Sequence, residues 1–307
     1  MSLHQSSGQW RLGLALSLLT VLLWGILPIA LTVTLEAVDV YTVIWFRFLV
    51  SFLLLAMYLG IRGKLPKLEQ LRSASWKLLA IATLLLGINY FLFMQGLALT
   101  SPANAQVLIQ LSTLLLGLGG LVIFKERYRL YQWIGVSVMT CGYLLFFREQ
   151  LTNLITAHSA YILGTILIVL AAVAWAIYAL AQKQLLQSLS SPSIMLIIYG
   201  GCALLFTPLA RVKSLFLLDS LHLGMLIFCA LNTLIAYGAF AESLEHWEAS
   251  RVSAVLALAP IVTLILLAVL SVIAPSLISP EHLSLTAILG AGLVVTGSVA
   301  IALGKAN

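Results

Sequence analysis

Residues 12–34 run for 23 positions without one charged side chain, and stretches of the same kind recur along the rest of the chain. About 20 mostly apolar residues are enough for a helix to cross the hydrocarbon core of a bilayer. In lipid every backbone N–H and C=O must be satisfied by the protein itself, which leaves only helices or closed barrels as spanning structures. Barrel strands alternate apolar and polar positions, and these runs do not alternate. The chain therefore reads as an all-α integral membrane protein. Composition agrees: of 307 residues, 62% are hydrophobic and 8% charged, against roughly 25% charged in soluble domains. A water-soluble globule needs a polar exterior that this chain does not have.

Ten spans are expected, at residues 12–34, 40–61, 76–99, 102–124, 130–147, 161–181, 192–209, 221–242, 250–274 and 283–303. Pro66, Ser101-Pro102, Ser191-Pro192, Pro275 and Pro280 fall in or beside the connections. The first run is read as a span rather than a signal peptide. It is too long, no small-residue cleavage site follows it, and a Trp-Gly-x-x-Pro interruption, Trp24 to Pro28, sits in its middle.

The formal net charge of +6 would raise nucleic acid for a soluble protein. In a membrane protein it reports orientation, because Lys and Arg concentrate in cytoplasmic loops. With the N-terminus inside, twelve of the sixteen Lys and Arg fall on the inner side, three on the outer side, and Arg47 within a span. Both termini are then cytoplasmic. Most of the bias comes from the first half. Cys141, Cys202 and Cys229 lie in apolar runs with no metal-ligand spacing, so neither a metal nor a disulfide framework is expected.

The two halves repeat. Glu126, Gly135 and Gly142 stand nine and then seven residues apart, as do Glu281, Gly290 and Gly297. A Trp at the middle of the opening helix recurs as Trp24 and Trp175, which lie 102 and 106 residues before their glutamates. Five spans per half is odd, so the second half enters the membrane from the other side. Inverted repeats of this kind mark secondary transporters.

Several segments resemble the EamA-type repeat of the drug/metabolite transporter superfamily. They are Gly-Leu-Ala-Leu-Thr-Ser at 96–101, Phe-Lys-Glu-Arg at 124–127 and Gln-Trp-Ile-Gly at 132–135, with Trp24-Gly25, Pro28 and Arg47-Phe48 before them. The second copy, residues 237–303, carries Ala-Ser-Arg-Val-Ser-Ala at 249–254, Pro260 and Glu281. The resemblance implies two five-helix repeats, at 1–147 and 161–307, joined by a loop at 148–160. It also implies transport of small metabolites, often export. One departure stands out. Where the family carries a proline in helix 4, this chain has Ser112, which removes the usual reason for a break there.

Candidate site residues follow from depth. Trp24, Asn89, Tyr90 and Asn232 lie at the middle of their spans, Tyr237 follows Asn232 by one to two turns, Gln106 and Gln110 stand four apart on one face of the fourth span, and Trp175 and Tyr178 three apart on the sixth. Buried amides need partners, and a repeat interface at the midplane is where transporters place their substrate. Glu126 and Glu281 are assigned to helix capping, since a carboxylate at a helix N-terminus is favoured by the dipole. Gly135, Gly142, Gly290, Gly297 and Pro260 are assigned to the scaffold. Arg47 keeps two roles open: an anchor that snorkels outward or meets Glu36 or Asp39, or a contact for an anionic group. No catalytic residue or cofactor is expected, because there is no P-loop, no His-Glu-x-x-His and no acid pair at one depth. The expected partners are a small-molecule substrate and the bilayer of an inner membrane. A lipid flippase is the alternative, and an intramembrane enzyme a distant third.

Overall fold

The computed structural model describes residues 6–67, 71, 74–126, 128–156, 159–273 and 285–302. Among these residues there are twelve α-helices and no strand. They are α1 (Trp10–Ala37), α2 (Val40–Ile61), α3 (Trp76–Ala98), α4 (Pro102–Leu108), α5 (Leu111–Ile123), α6 (Leu130–Thr156), α7 (Ser159–Leu185), α8 (Ser191–Phe206), α9 (Ser220–His246), α10 (Ala249–Leu256), α11 (Ala259–Ile273) and α12 (Leu285–Ala302). Among the described residues eight helical stretches are long and apolar enough to cross a membrane, with α4–α5 and α10–α11 each counting as one stretch. Two shorter apolar stretches, Leu130–Leu145 and Gly292–Ile301, add to these. Leu22, Met57, Leu84, Leu144, Leu170 and Ile265 point outward and are exposed, as expected for a surface solvated by lipid tails.

Several helix starts are fixed by caps. Asp39 accepts from Thr42 N at 3.2 Å, Ser101 from Asn104 N at 3.2 Å with Pro102 behind it, and Asp219 from His222 N at 2.9 Å. Each side chain satisfies a backbone donor that the first turn leaves open. The packing is strongly paired. α3 runs along α7 and α1 along α9, while α2 lies on α8 and α6 on α12. The half-helix α5 packs on α10, and α4 on α11.

α6 and α12 touch through glycine. A Cβ on Gly135 would come within 2.9 Å of the Gly297 carbonyl oxygen, and one on Gly297 within 2.5 Å of the Gly135 oxygen. A Cβ on Gly142 would stand 2.7 Å from the Gly290 oxygen. The helices approach closely enough that no larger residue fits without a shift. Gln132, at 1% exposure, also donates to the Ile301 carbonyl at 3.2 Å.

Two expectations need correction. The fourth span does break, at Ile109–Gln110, without a proline. Gln110, Ser112 and Thr113 bond back three residues, to the carbonyls of Val107, Ile109 and Gln110, tightening the turn in the manner of a 3₁₀ helix. Ser112 Oγ also donates to Ile109 O at 2.6 Å, and Thr113 Oγ1 to Gln110 O at 2.8 Å. Hydroxyls thus occupy carbonyls loosened by the break. In the ninth span Pro260 sits at the second position of α11, directly after the break at Ala257–Leu258. It lacks an N–H to be stranded there. The second correction concerns length: the backbone of α6 stays helical to Thr156, and α7 begins at Ser159, so most of the expected 148–160 loop is helix. Glu281 lies outside the described residues.

Candidate functional site

The middle of the bundle is built from aromatic rings on four helices. Trp24 on α1 and Trp175 on α7 meet edge to face with ring centroids 5.5 Å apart. Tyr237 on α9 stands 5.0 Å from Trp24, and Phe240 stands 5.0 Å from Trp175. Tyr90 on α3 extends the group, 5.5 Å from Tyr237. Such pairs add about 0.5–1.5 kcal/mol each beyond their burial. Gly25 lets α1 approach α11, since a Cβ there would lie 2.5 Å from Val262 Cβ.

Against this cluster lies a cavity of about 610 Å³, counting the space at its open side. Seven of the expected residues line it: Trp24, Asn89, Tyr90, Gln106, Gln110, Trp175 and Tyr237. The break in the fourth span contributes Ile109, Gln110, Ser112 and Thr113 to its wall. Two expected residues do not line it. The Tyr178 hydroxyl donates to Met195 Sδ at 3.6 Å, in the layer behind Trp175. Asn232 Nδ2 donates to the Leu23 carbonyl at 2.6 Å and ties α9 to α1. Asn89 has a similar tie, donating to the Ala171 carbonyl on α7 at 2.9 Å.

Several lining residues were missed, among them Leu27, Pro28, Phe93 and Met94. The signal was present. Each lies three or four residues from an expected one, and helical spacing puts such positions on one face.

Arg47 also lines the cavity, at 2% exposure. It neither snorkels outward nor meets the two acids proposed for it. Asp39 binds Thr42, and the His222 ring stands 3.9 Å from the Glu36 carboxylate. Arg47 turns inward instead, because its face of α2 packs on α9. Its Nε donates to Thr233 Oγ1 at 2.8 Å and to the Cys229 carbonyl at 3.2 Å. Its guanidinium carbon sits 4.5 Å from the centre of the Tyr90 ring. A charge at bilayer depth costs roughly 2.5–3.5 kcal/mol on insertion scales. A desolvated cation–π contact returns about 2 kcal/mol of that.

Glu126 caps a helix other than the one that follows it. Its carboxylate accepts from Ala249 N and Ser250 N at the start of α10, both at 2.9 Å, and from Lys183 Nζ at 2.6 Å. Burial pushes this carboxyl up, but the Lys183 charge and the hydrogen bonds from Lys183 and Ser250 outweigh it. The result is a pKa below the ordinary carboxylate value. Among the described residues, no group of three or more His, Cys, Asp or Glu could hold a metal.

The profile of the EamA-like transporter family matches residues 11–148 and again 162–303. The uncharacterized inner membrane transporter YhbE of Escherichia coli (strain K12) is 37% identical over 297 residues, which is 96% of this chain and 92% of that one. An uncharacterized transporter of Haemophilus influenzae is 35% identical over 293 residues, 95% of each chain. A solved crystal structure superposes with a TM-score of 0.71 at 18% identity, covering 95% of this chain and 97% of the other. That likeness speaks to fold alone.

Proposed function

The chain belongs to the EamA-like transporter family and is a membrane transporter, and we propose that it exports small amphipathic metabolites such as amino acids. The movement is alternating access between two five-helix halves of opposite topology, ten spans in all, with both termini cytoplasmic. The carrying observation is the cavity where Trp24 of the first half meets Trp175 of the second.

The packing supports the inverted repeat. Exchanging each span with its counterpart five spans away turns the α3–α7 pair into α9–α1, and the α5–α7 contact into α11–α1. The α2–α8 and α6–α12 pairs turn into themselves. The breaks at 109–110 and 257–258 fall in matching spans. Discontinuous helices at corresponding positions of two halves are where secondary transporters place their site. The lining supports the substrate class. Rings offer apolar faces, amides offer neutral donors and acceptors, and one full charge is present. A polyphosphate would find too little to solvate it.

Metabolite profiling of medium from an overexpressing strain tests the reading. Accumulation of one or a few small metabolites, lost when Trp24 is replaced by Ala, is expected. Movement of labelled lipid by the purified protein, with no solute flux, would transfer the reading to a flippase.

A further inference from the structure

We propose that the cavity takes its solute by a single carboxylate held on Arg47, with the solute's apolar part against the Trp24, Trp175 and Tyr237 rings. This rests on the transporter reading above and narrows it. Among the described residues no carboxylate lies within 4.0 Å of Arg47. Among the described residues the two other buried cations are already paired, Lys183 with Glu126 and Arg251 with Glu248. One positive charge is therefore left over, and it lines the cavity.

The guanidinium geometry shows which edge is free. Nε is committed to Thr233 and Cys229, while Nη2 reaches only the Tyr90 hydroxyl, at 3.5 Å. That distance is at the outer limit of a hydrogen bond. A guanidinium presents five N–H donors in a rigid plane, so the Nη edge remains for a planar anion, which it can bind through two parallel bonds. Tyr90 beneath the plane fixes its tilt.

Two more lining atoms are buried without a partner: Trp24 Nε1, a donor, and Gln110 Oε1, an acceptor. An acceptor suits an N–H on the same solute. An uncompensated cation also discriminates. It repels amines and other cations, which excludes cationic drugs as the preferred cargo, and one charge matches a monocarboxylate better than a di- or tricarboxylate.

The test uses the full-length protein purified in detergent. Its unfolding midpoint is followed with the proteinogenic L-amino acids, their methyl esters, their decarboxylated amines, and phosphatidylglycerol. One or more free carboxylates should raise the midpoint, while the matching ester and amine do not. Arg47→Gln should abolish the shift, and Arg47→Lys should retain it with an apparent affinity about tenfold weaker or worse. The wild-type comparison of acid with ester stands even if Arg47→Gln fails to fold. Equal shifts from acid and ester, a shift from the amine, a shift from phosphatidylglycerol alone, or no shift with any carboxylate would each overturn the proposal. Solute export in the profiling assay together with any of these outcomes would leave the transporter reading intact and remove only the carboxylate.

Discussion

Glu126 and Lys183 form an ion pair of 2.6 Å in which neither side chain is more than 8% exposed. The same carboxylate caps the start of α10. One side chain in the connection after α5 therefore joins the end of α7 to the half-helix that opens the ninth span.

Removing half of this pair leaves the other charge buried alone, which costs about 3–5 kcal/mol. Glu126→Gln should lower the unfolding midpoint in detergent strongly, and adding Lys183→Met should recover part of the loss. A single variant as stable as the wild type would show that the pair carries no weight. The pH dependence has a definite sign. A carboxyl whose folded pKa is depressed contributes stability that is fully present above its unfolded value, ordinarily 4.5. That stability is lost as pH falls through the folded value. Wild-type protein should lose this increment on acidification, and Glu126→Gln should not show it.

The glycine contact between α6 and α12 predicts a sharp contrast. Gly135→Leu and Gly297→Ala place atoms within 3.0 Å of the opposite backbone, and overpacking of this kind costs about 1–3 kcal/mol or more. Yield of folded protein should fall for both. Gly292→Ala, where a Cβ meets nothing within 4 Å, should express like the wild type. Equal yields across the three would remove the close-contact account.

Gln110 separates stability from transport. Its Oε1 is buried without a partner, a state that costs about 1–3 kcal/mol. Gln110→Leu should keep or raise the unfolding midpoint while cutting export. Asn89→Ala should do the reverse in part, lowering stability by about 1 kcal/mol through loss of the bond to Ala171. Full export by Gln110→Leu would take that residue out of the site.

Orientation is checked by labelling on a cysteine-free background. Lys67 and Lys213 are both exposed; Lys67 follows the end of α2, whereas Lys213 stands two residues from Arg211, whose N–H donates to Thr42 at the start of α2. An impermeant thiol reagent added to intact cells should tag Lys213→Cys and miss Lys67→Cys. The opposite pattern would place the termini outside.

Depth in the membrane was legible from the residues, and direction around the helix axis was not. Trp24, Asn89 and Tyr90 stand at the middle of their apolar runs, and they line the cavity. Asn232 has the same depth and type, yet turns to the Leu23 carbonyl. Helical spacing says which residues share a face, not which neighbour that face meets. Arg47 meets the same limit: its depth left open a reach outward or a turn into the cavity, and the packing of α2 on α9 turns it in. The break at 109–110 was hidden because hydroxyls stand where a proline would have announced it. The end of α6 was hidden because helix outlasts the apolar run once the chain has left the lipid.

The pairing of Gly135 with Gly297 and of Gly142 with Gly290 is self-complementary, since each helix offers the surface it receives. Contacts of that form are isologous, the kind two identical subunits make across a dyad. On the inverted-repeat reading proposed above, a half-length chain could dimerise through it, one copy inserted each way up. With the two copies joined in one chain, the trailing copy needs no orientation signal of its own on that reading. The basic residues have the matching asymmetry: they crowd the leading half and thin out in the trailing one. Expressed as two separate polypeptides, the leading half would still know which way to insert, and the trailing half would depend on it for direction.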